Sequence, residues 1–455
     1  RDLRSEALAA FAEENAGRIG YFAFCQWLIA RCLERAQAAA RSSGMSVGLI
    51  ADLAVGADGG GSQAWSRQDE LLASLTVGAP PDILNRQGQG WGISAFSPEG
   101  LVRNGFRAFI EMLRANFAHA GGLRIDHVMG LQRLWVIPNG ASPADGAYLY
   151  YPIDDMLRLL ALESHRHQAI VMGEDLGTVP DGLREKLTAR SILGMRVMLF
   201  EQDNAHFKPI LDWPDSALAT TSTHDLPTLN GWWHGRDIDW SSRLGLVDGQ
   251  GEIEWRQHRE REREGLRRVL SEDPQNFREE HNETDQVLDA AIRFLGHTRA
   301  PLVLLPLEDA LGIEQQANLP GTVNTHPNWS RRLPGVSEAL LDGDDAARRL
   351  ELLHGQIVGA GREPPRYELL GIAGLVWPHA GEVVAARCHA CRFVMAALGQ
   401  QAGLVADMGQ LAGQHIDPLG PEPRQRRLQR LAAVAPRAGI VAAQGHDDGI
   451  VQPVR

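Results

Sequence analysis

The chain has 455 residues, 44% of them hydrophobic and 22% charged, which is ordinary for a globular protein and supplies enough apolar material for a large core. A formal net charge of −12 argues against binding to nucleic acid or to anionic membranes, and favours neutral or cationic substrates. No apolar run is long enough to span a bilayer, and the charged first residues do not follow the pattern of a signal peptide, so we expect a cytoplasmic protein.

The four cysteines are too few for a disulfide framework in a chain of this length. Cys25 and Cys32 fall within a helical pattern, where a buried thiol is the simplest interpretation. Cys388 and Cys391 form a single C-x-x-C pair, which supplies only half of the ligands of a structural zinc site. The cysteines by themselves therefore do not predict a metal site.

In chain order, apolar residues at helical spacing predict helices over residues 6–43, and a buried strand follows that ends at Asp52. Residues 77–100 are rich in Gly, Pro and Asn, which is typical of a loop, and a helix is predicted over 104–120. Continuous apolar segments then alternate with helical ones, which indicates a parallel sheet covered by helices on both faces. Strands are predicted at 122–128, 169–176, 194–201, 218–225 and 300–309, and helices at 152–166, 180–190 and from 257 onward.

Each of these six buried strands has an acidic residue at or near its C-terminal end. The acids are Asp52, Asp126, Glu174, Glu201, Asp225 and Glu308. In an α/β barrel of eight parallel strands, the C-terminal ends converge on one rim, which carries the active site. The acids are therefore expected at the mouth of such a barrel and not in its core.

The segment GGLRIDHVMG, residues 121–130, places charge inside an apolar strand. Residues two apart in a strand share a face, so Arg124 and Asp126 are expected to point the same way, and the guanidinium would keep the carboxylate ionised. Strand-end acids of this kind fit retaining glycosyl transfer, in which the two reacting carboxyl groups lie roughly 5–5.5 Å apart. They also fit metal-dependent hydrolysis. The metal ligands would then be the pairs Asp126–His127, Glu174–Asp175 and His224–Asp225.

The segment PPDILNRQGQGWG, residues 80–92, favours the sugar alternative. Its amide and acid groups suit sugar hydroxyls, and an exposed Trp91 would stack on the apolar face of a sugar ring. The alternative for Trp91 is that its ring packs beneath the loop.

Five segments occur in the order GAPPDILNRQGQGWG, LRIDHVMGLQRLWVIP, GEDLGTVP, STHDLPTLNGWW and NLPGTVNTHPNWSRRLP. Together they resemble the 4-alpha-glucanotransferases, also called amylomaltases or disproportionating enzymes, of the alpha-amylase clan. The resemblance runs from about residue 15 to 334. It implies an α/β fold of the (βα)8 TIM-barrel type and a double displacement that moves a 4-alpha-glucanosyl segment between maltodextrins. It implies no metal, no organic cofactor and no obligate protein partner.

Carried over by motif, the resemblance makes Asp126 the nucleophile, Glu174 the general acid/base and Asp225 the stabiliser of the transition state. Glu174 must then be protonated at rest, so its site is expected to raise its pKa, while Asp126 must stay charged. The substrate-binding residues that the resemblance implies are Arg124, His224, Asp82, Gln89, Trp91 and Asn328.

Compared with the family, residues 1–334 correspond to a catalytic barrel from its third strand to its eighth, so two strands are expected to precede residue 1. A terminal helix is expected within 335–360, and residues 361–455 are expected to form a tail to which we assign no function. Three alternatives stay open: a hydrolase that cuts alpha-1,4-glucan with water, a metal-dependent hydrolase, and a truncated chain that only binds glucan or is inactive.

Overall fold

The computed structural model describes residues 3–81, 87–273, 276–277, 283–322, 324–334 and 340–359. Asp82, Cys388 and Cys391 lie outside the described residues. The chain divides into two compact units, whose described residues fall within 3–42 and 47–174 for the first unit and within 43–46 and 175–359 for the second. Across the described part of the chain, no helix is both long and apolar enough to cross a membrane.

The first unit begins with two helices and continues with nine strands and four further helices among its described residues. Its helices are α1 (Glu6–Glu14), α2 (Ala16–Ser42), α3 (Ser62–Ser66), α4 (Pro98–Arg103), α5 (Arg107–Phe117) and α6 (Ile153–His167). Its strands are β1 (Ile50–Leu53), β2 (Ala57–Asp58), β3 (Leu75–Ala79), β4 (Gln89–Gly90), β5 (Ile93–Ser94), β6 (Gly122–Ile125), β7 (Arg133–Pro138), β8 (Ala147–Tyr150) and β9 (Ile170–Gly173).

The second unit is richer in helix. Its helices are α7 (Leu183–Thr188), α8 (Leu229–His234), α9 (Arg236–Arg243), α10 (Gly249–Leu270), α11 (Glu283–His297), α12 (Leu307–Ala310) and α13 (Asp344–Gly359). Its strands are β10 (Gly194–Val197), β11 (Gln202–Asp203), β12 (His206–Phe207), β13 (Ala217–Thr220) and β14 (Leu302–Leu304). The α13 helix lies within the segment where a terminal helix was expected.

The six buried strands that the sequence predicts are all present, and they pair in parallel within each unit. The strand order is β1-β6-β9 in the first unit and β10-β13-β14 in the second. In the first sheet the last residues of the three strands, Leu53, Ile125 and Gly173, lie side by side. The residues that follow β6 and β9 therefore leave the sheet at the same end, where the strands have their carboxyl termini. This brings Asp126 and Glu174 to neighbouring positions.

Each unit has its own apolar core. In the first, α5 packs against α6 and against the parallel sheet. Its fully buried side chains include Phe109, Leu113, Leu123, Leu157 and Leu160. In the second, α8, α10 and α11 pack against one another and cover β13. Its core residues include Trp213, Ala219, Trp232, Leu288 and Ile292. Most residues of the six strands are buried or half-buried, which explains why the strands are largely apolar, and the exposed positions are Asp52 in β1 and Leu304 in β14.

The prediction that residues 77–100 form a loop is wrong in part. The end of β3, together with β4 and β5, lies in this segment, and β3 belongs to an antiparallel sheet with the order β4-β3-β7-β8. Gly78 pairs with Gly90 across the two strands, and a side chain at Gly78 would overlap the carbonyl oxygen of Gln89. Glycine at this position therefore permits a close approach of two strands, which composition alone does not distinguish from loop chemistry.

Replacing Gly78 by alanine is expected to destabilise this sheet, by about 1–3 kcal/mol, because a methyl group has no room against the neighbouring backbone. Gly90→Ala is the matched control, since its methyl group would meet only Ile137 Cδ1 at 3.8 Å, an ordinary contact. Urea unfolding of both variants measures the difference. Equal stability of the two variants would contradict the close approach.

The helix predicted over 104–120 is also different in detail. Gly105 and Phe106 both have positive φ, at 60° and 57°, and this left-handed turn separates α4 from α5. Within the predicted range, the helix is therefore α5, which begins at Arg107 and ends at Phe117.

Candidate active site

The carboxyl end of β6 carries an arginine between two carboxylates. Arg124 lies opposite Asp52 in the register of β1 and β6. Its Nη1 donates to both carboxylate oxygens of Asp52 at 2.7 Å, and its Nη2 donates to Asp126 Oδ1 at 3.0 Å. The expected common orientation of Arg124 and Asp126 is confirmed. Asp52 was noted only as a strand-end acid, and its position opposite Arg124 shows that it fixes the plane of the guanidinium.

Arg124 stays protonated in its half-buried position. Burial by itself would lower the pKa of Arg124, but the carboxylates of Asp52 and Asp126 outweigh burial and raise the pKa above its ordinary value. A permanently charged guanidinium in contact with Asp126 favours the ionised carboxylate there. That is the state that a carboxylate nucleophile requires.

Glu174 is held by the turn that follows β6. Its side chain is buried, with the residue 1% exposed, and its Oε2 accepts a hydrogen bond of 2.9 Å from the amide of His127. Its carbonyl oxygen accepts another from the amide of Val128 at 3.0 Å. His127 has a φ of 48°, a left-handed conformation that is uncommon for a residue with a side chain. The turn therefore links Glu174 to the residue next to Asp126.

Trp91 is not exposed, and the expectation of a freely available stacking ring is wrong. The residue is 3% exposed, its Nε1 donates to Gln89 Oε1 at 3.1 Å, and its ring meets the ring of His127 edge to face at 5.3 Å between centroids. The indole therefore packs beneath the loop and buttresses the turn beside Asp126. The contact with His127 could not be read from the sequence because the two residues are 36 positions apart.

In the second unit, Asp225 lies in the loop between β13 and α8. Its Oδ1 accepts a hydrogen bond from Asn318 Nδ2 at 2.8 Å, and its Oδ2 lies 3.4 Å from His224 Nε2. The ring of His224 in turn lies 5.4 Å from the ring of Trp329. Asn318 was missed as a site residue, although it begins the NLPGT segment that contributes to the family resemblance.

Asn328 has a structural role that was not expected. Its Oδ1 accepts from the amide of Leu319 at 2.9 Å and lies 2.6 Å from His326 Nδ1. Its Nδ2 donates to the carbonyl and hydroxyl oxygens of Thr322, both at 2.9 Å. The amide is thus fully engaged, and it fixes the loop that carries Asn318 instead of offering free groups to a ligand.

Three of the six acids that the sequence places at or near strand ends follow their strands at a distance, since Glu201 and Glu308 lie four residues after β10 and β14 and Asp225 lies five residues after β13. Glu201 follows a 3-10 turn after β10 and forms an ion pair with Lys208 at 2.7 Å. Glu308 lies in the first turn of α12, and its neighbour Asp309 is the residue that is fully buried. Asp309 accepts from Thr221 Oγ1 at 2.5 Å and from the amide of Leu229 at 2.8 Å.

Burial raises the pKa of Asp309 from 3.8 to about 6, and the charge of Glu308 adds to the effect. The hydrogen bonds from Thr221 and Leu229 and the charge of Arg349 oppose this shift. Because the folded pKa is raised, the folded state binds the proton more tightly, and this stabilisation is present below about pH 4 and is lost as the pH rises through 6.

Asp309→Asn is therefore expected to change the pH dependence of stability. Relative to the variant, which cannot titrate here, the original chain should lose on the order of 1–3 kcal/mol of unfolding free energy between pH 4 and pH 7. Urea unfolding at a series of pH values measures this. Parallel stability curves for the two proteins would show that Asp309 does not titrate in this range.

Within the described part of the chain, no three His, Cys, Asp or Glu side chains come together as ligands for a metal ion. In the three pairs that the sequence suggested as metal ligands, Asp126 binds Arg124, Glu174 binds the amide of His127, and Asp225 binds Asn318. Asp175, for example, is fully buried and accepts from Arg184 Nε at 2.7 Å and from the amide of Met195 at 2.7 Å.

The mixed α/β fold is similar to that of the amylomaltase from Corynebacterium glutamicum, with a TM-score of 0.68 and 31% identity over 72% of this chain and 49% of that one. A fold match also exists with the amylomaltase from Streptococcus agalactiae in complex with acarbose, at a TM-score of 0.52 and 18% identity over 67% of this chain and 56% of that one.

The 4-alpha-glucanotransferase family model matches residues 1–338, so the chain belongs to the 4-alpha-glucanotransferase family. It is 40% identical over 332 residues to the 4-alpha-glucanotransferase of Haemophilus influenzae, a match that covers 71% of this chain and 47% of that protein. The chain spans about half the length of the curated relatives it matches.

Proposed function

We propose that this chain carries the reacting groups of a retaining 4-alpha-glucanotransferase, which moves a 4-alpha-glucanosyl segment from one maltodextrin to another. The observation that carries the proposal is the arrangement around β6. An arginine-paired carboxylate, Asp126, stands one residue from the amide that binds the buried carboxyl group of Glu174. One carboxylate held ionised and one carboxyl group removed from water is the pairing that a double displacement needs.

In the proposed first step, Asp126 attacks the anomeric carbon of the donor glucan, and the bond to the leaving glycosidic oxygen breaks. Glu174 gives its proton to that oxygen, so the shortened glucan leaves as a neutral alcohol and a glycosyl ester forms on Asp126. The enclosure of Glu174, which is 1% exposed, supports this role because the carboxyl group can exchange its proton with a bound sugar oxygen away from bulk water.

In the second step, the 4-hydroxyl group of an acceptor sugar attacks the same carbon. Glu174, now a carboxylate, takes the hydroxyl proton, and the ester bond to Asp126 breaks. The configuration at the anomeric carbon is retained and both carboxyl groups return to their starting states. Asp225, oriented by Asn318 and His224, is proposed to favour the positively charged transition state. A (βα)8 barrel is the proposed scaffold.

Incubation of the chain with maltotriose tests the proposal, with Asp126→Asn as the inactive control. A ladder of longer maltodextrins together with glucose is the expected result. Glucose and maltose without longer products would contradict transfer and favour the hydrolase. Activity that disappears with a chelator and returns with a metal ion would overturn the assignment in favour of a metal-dependent hydrolase. No products, with acarbose still bound, would leave only a glucan-binding chain.

A further inference from the structure

We propose that Asp309 is a positioning residue for Asp225, because its carboxylate ties together both ends of the loop that carries Asp225. The inference deepens the proposed function and rests on it, since it assigns to Asp309 the task of orienting the third carboxylate of the reaction. Asp309 is fully buried and so is not available to a sugar itself.

The two ends of the loop meet at this carboxylate. Residues 221–228 connect the last residue of β13 to the first residue of α8. At the start of the loop, Thr221 Oγ1 donates to Asp309 Oδ2 at 2.5 Å, and just after its end the amide of Leu229 donates to Asp309 Oδ1 at 2.8 Å. A single rigid side chain therefore sets the distance between the two ends, and Asp225 lies between them.

The loop is also closed by its own hydrogen bonds. Ser222 Oγ donates to the carbonyl oxygen of Pro227 at 2.6 Å, and Thr220 Oγ1 donates to the carbonyl oxygen of Ser222 at 2.8 Å. Thr228 caps the N-terminus of α8, and its hydroxyl group accepts from the amide of Gly231 at 2.9 Å. With both ends fixed, these bonds leave the loop few alternative conformations.

The backbone next to Asp309 is itself fixed by a hydrogen bond from α13. The carbonyl oxygen of the next residue, Ala310, accepts from Arg349 Nη1 at 3.3 Å, and Arg349 is 1% exposed. The carboxylate of Asp225 is thus restrained from two sides, by Asn318 on its oxygen and by Asp309 through the backbone of its loop. Because a displacement of about 1 Å in a reacting group can cost about 10²-fold in rate, loss of this restraint is expected to lower kcat strongly.

Three variants distinguish a role of Asp309 in orienting Asp225 from a general contribution of Asp309 to the stability of the fold. Asp309→Ala removes both bonds, whereas Asp309→Asn keeps a carbonyl oxygen for the Leu229 amide and a polar group for Thr221. Thr221→Val removes only the bond at the start of the loop. The matched control is Asp237→Ala, which removes another buried carboxylate of the second unit, one whose ion pair at 2.7 Å is with Arg259 on α10 and not with a residue of this loop.

The experiment measures kcat and KM with maltotriose, binding of acarbose, and hydrogen exchange of the peptide covering residues 218–231. Asp309→Ala is expected to accelerate exchange across residues 221–229 and to lower kcat by about 10–100-fold, with KM changed by less than about threefold. In Asp309→Asn, kcat and hydrogen exchange should both stay near the values of the original chain. In Thr221→Val, both should lie between those of the original chain and those of Asp309→Ala. Asp237→Ala should lose stability but keep kcat and the exchange of this peptide.

Unchanged exchange in Asp309→Ala would overturn the proposal, as would an equal loss of kcat in Asp237→Ala. If Asp309→Ala does not fold, Thr221→Val decides, because unaltered exchange and kcat in that variant would overturn the proposal as well. If the original chain neither turns over maltotriose nor binds acarbose, the proposed function has failed, whereas the exchange data still show whether Asp309 holds the loop.

Discussion

Glu174→Gln is expected to slow turnover of maltotriose by about 10²–10⁴-fold, while it leaves the first step with maltosyl fluoride nearly unchanged. A sugar hydroxyl is a poor leaving group and needs the proton of Glu174, whereas fluoride departs without it. Asp126→Asn should abolish reaction with both substrates because no glycosyl ester can form. Stopped-flow release of fluoride and chromatography of the maltodextrins measure the two rates.

Asp225→Asn is the third variant to compare with Glu174→Gln and Asp126→Asn. Because Asp225 is proposed to act on the charge of the transition state and not on one proton, its loss should slow maltotriose and maltosyl fluoride alike. Glu174→Gln with equal losses on both substrates would contradict its role as the proton donor. Full activity of Asp126→Asn on either substrate would show that the nucleophile lies elsewhere.

Arg349→Ala is expected to have the largest effect on stability, a loss of about 3–5 kcal/mol. Arg349 lies on α13 and is 1% exposed. Its Nη2 donates to Asp285 Oδ1 at 2.6 Å and its Nε donates to Asp289 Oδ1 at 3.3 Å, both on α11. Removal of this buried guanidinium takes a hydrogen bond from Asp285, from Asp289 and from the carbonyl oxygen of Ala310, and leaves a cavity in the core. The family match ends at residue 338, before this helix begins, so the result tests whether α13 is part of the fold.

The matched control is the neighbouring residue on the same helix. Arg348 also contacts Asp289, but its side chain is more exposed, and Asp289 keeps Arg349 when Arg348 is removed. Arg348→Ala should therefore cost no more than about 1 kcal/mol in urea unfolding. Similar unfolding free energies for the two alanine variants would contradict a structural role for the buried ion pair.

The parallel strands could be predicted because most of their residues are buried or half-buried, which produces short apolar runs bounded by polar residues. The contact between Arg124 and Asp126 followed from the alternation of side chains along a strand. Both features depend on residues that are close in sequence. The antiparallel sheet was missed for the opposite reason, since Gly78 and Gly90 serve a close strand approach that appears only when distant segments meet.

For the site residues too, contacts between segments that are distant in sequence could not be predicted. The burial of Trp91 depends on the ring of His127, and the engagement of the Asn328 amide depends on how residues 318–328 fold back on themselves. Glu308 and Asp309 are adjacent acids, and which of them enters the core depends on the rotation of the short α12 helix. The sequence analysis named Glu308 and not Asp309, because nothing in the local sequence distinguishes the two acids.

The most direct test of the account is the position of the covalent intermediate. Glu174→Gln protein is mixed with maltosyl fluoride, digested, and its peptides are weighed by mass spectrometry. We expect a maltosyl adduct on the peptide that contains LRIDHVMG, at Asp126. An adduct on the peptide that contains GEDLG in the original chain, an adduct on the peptide that contains STHD, or no adduct while fluoride is released, would contradict it.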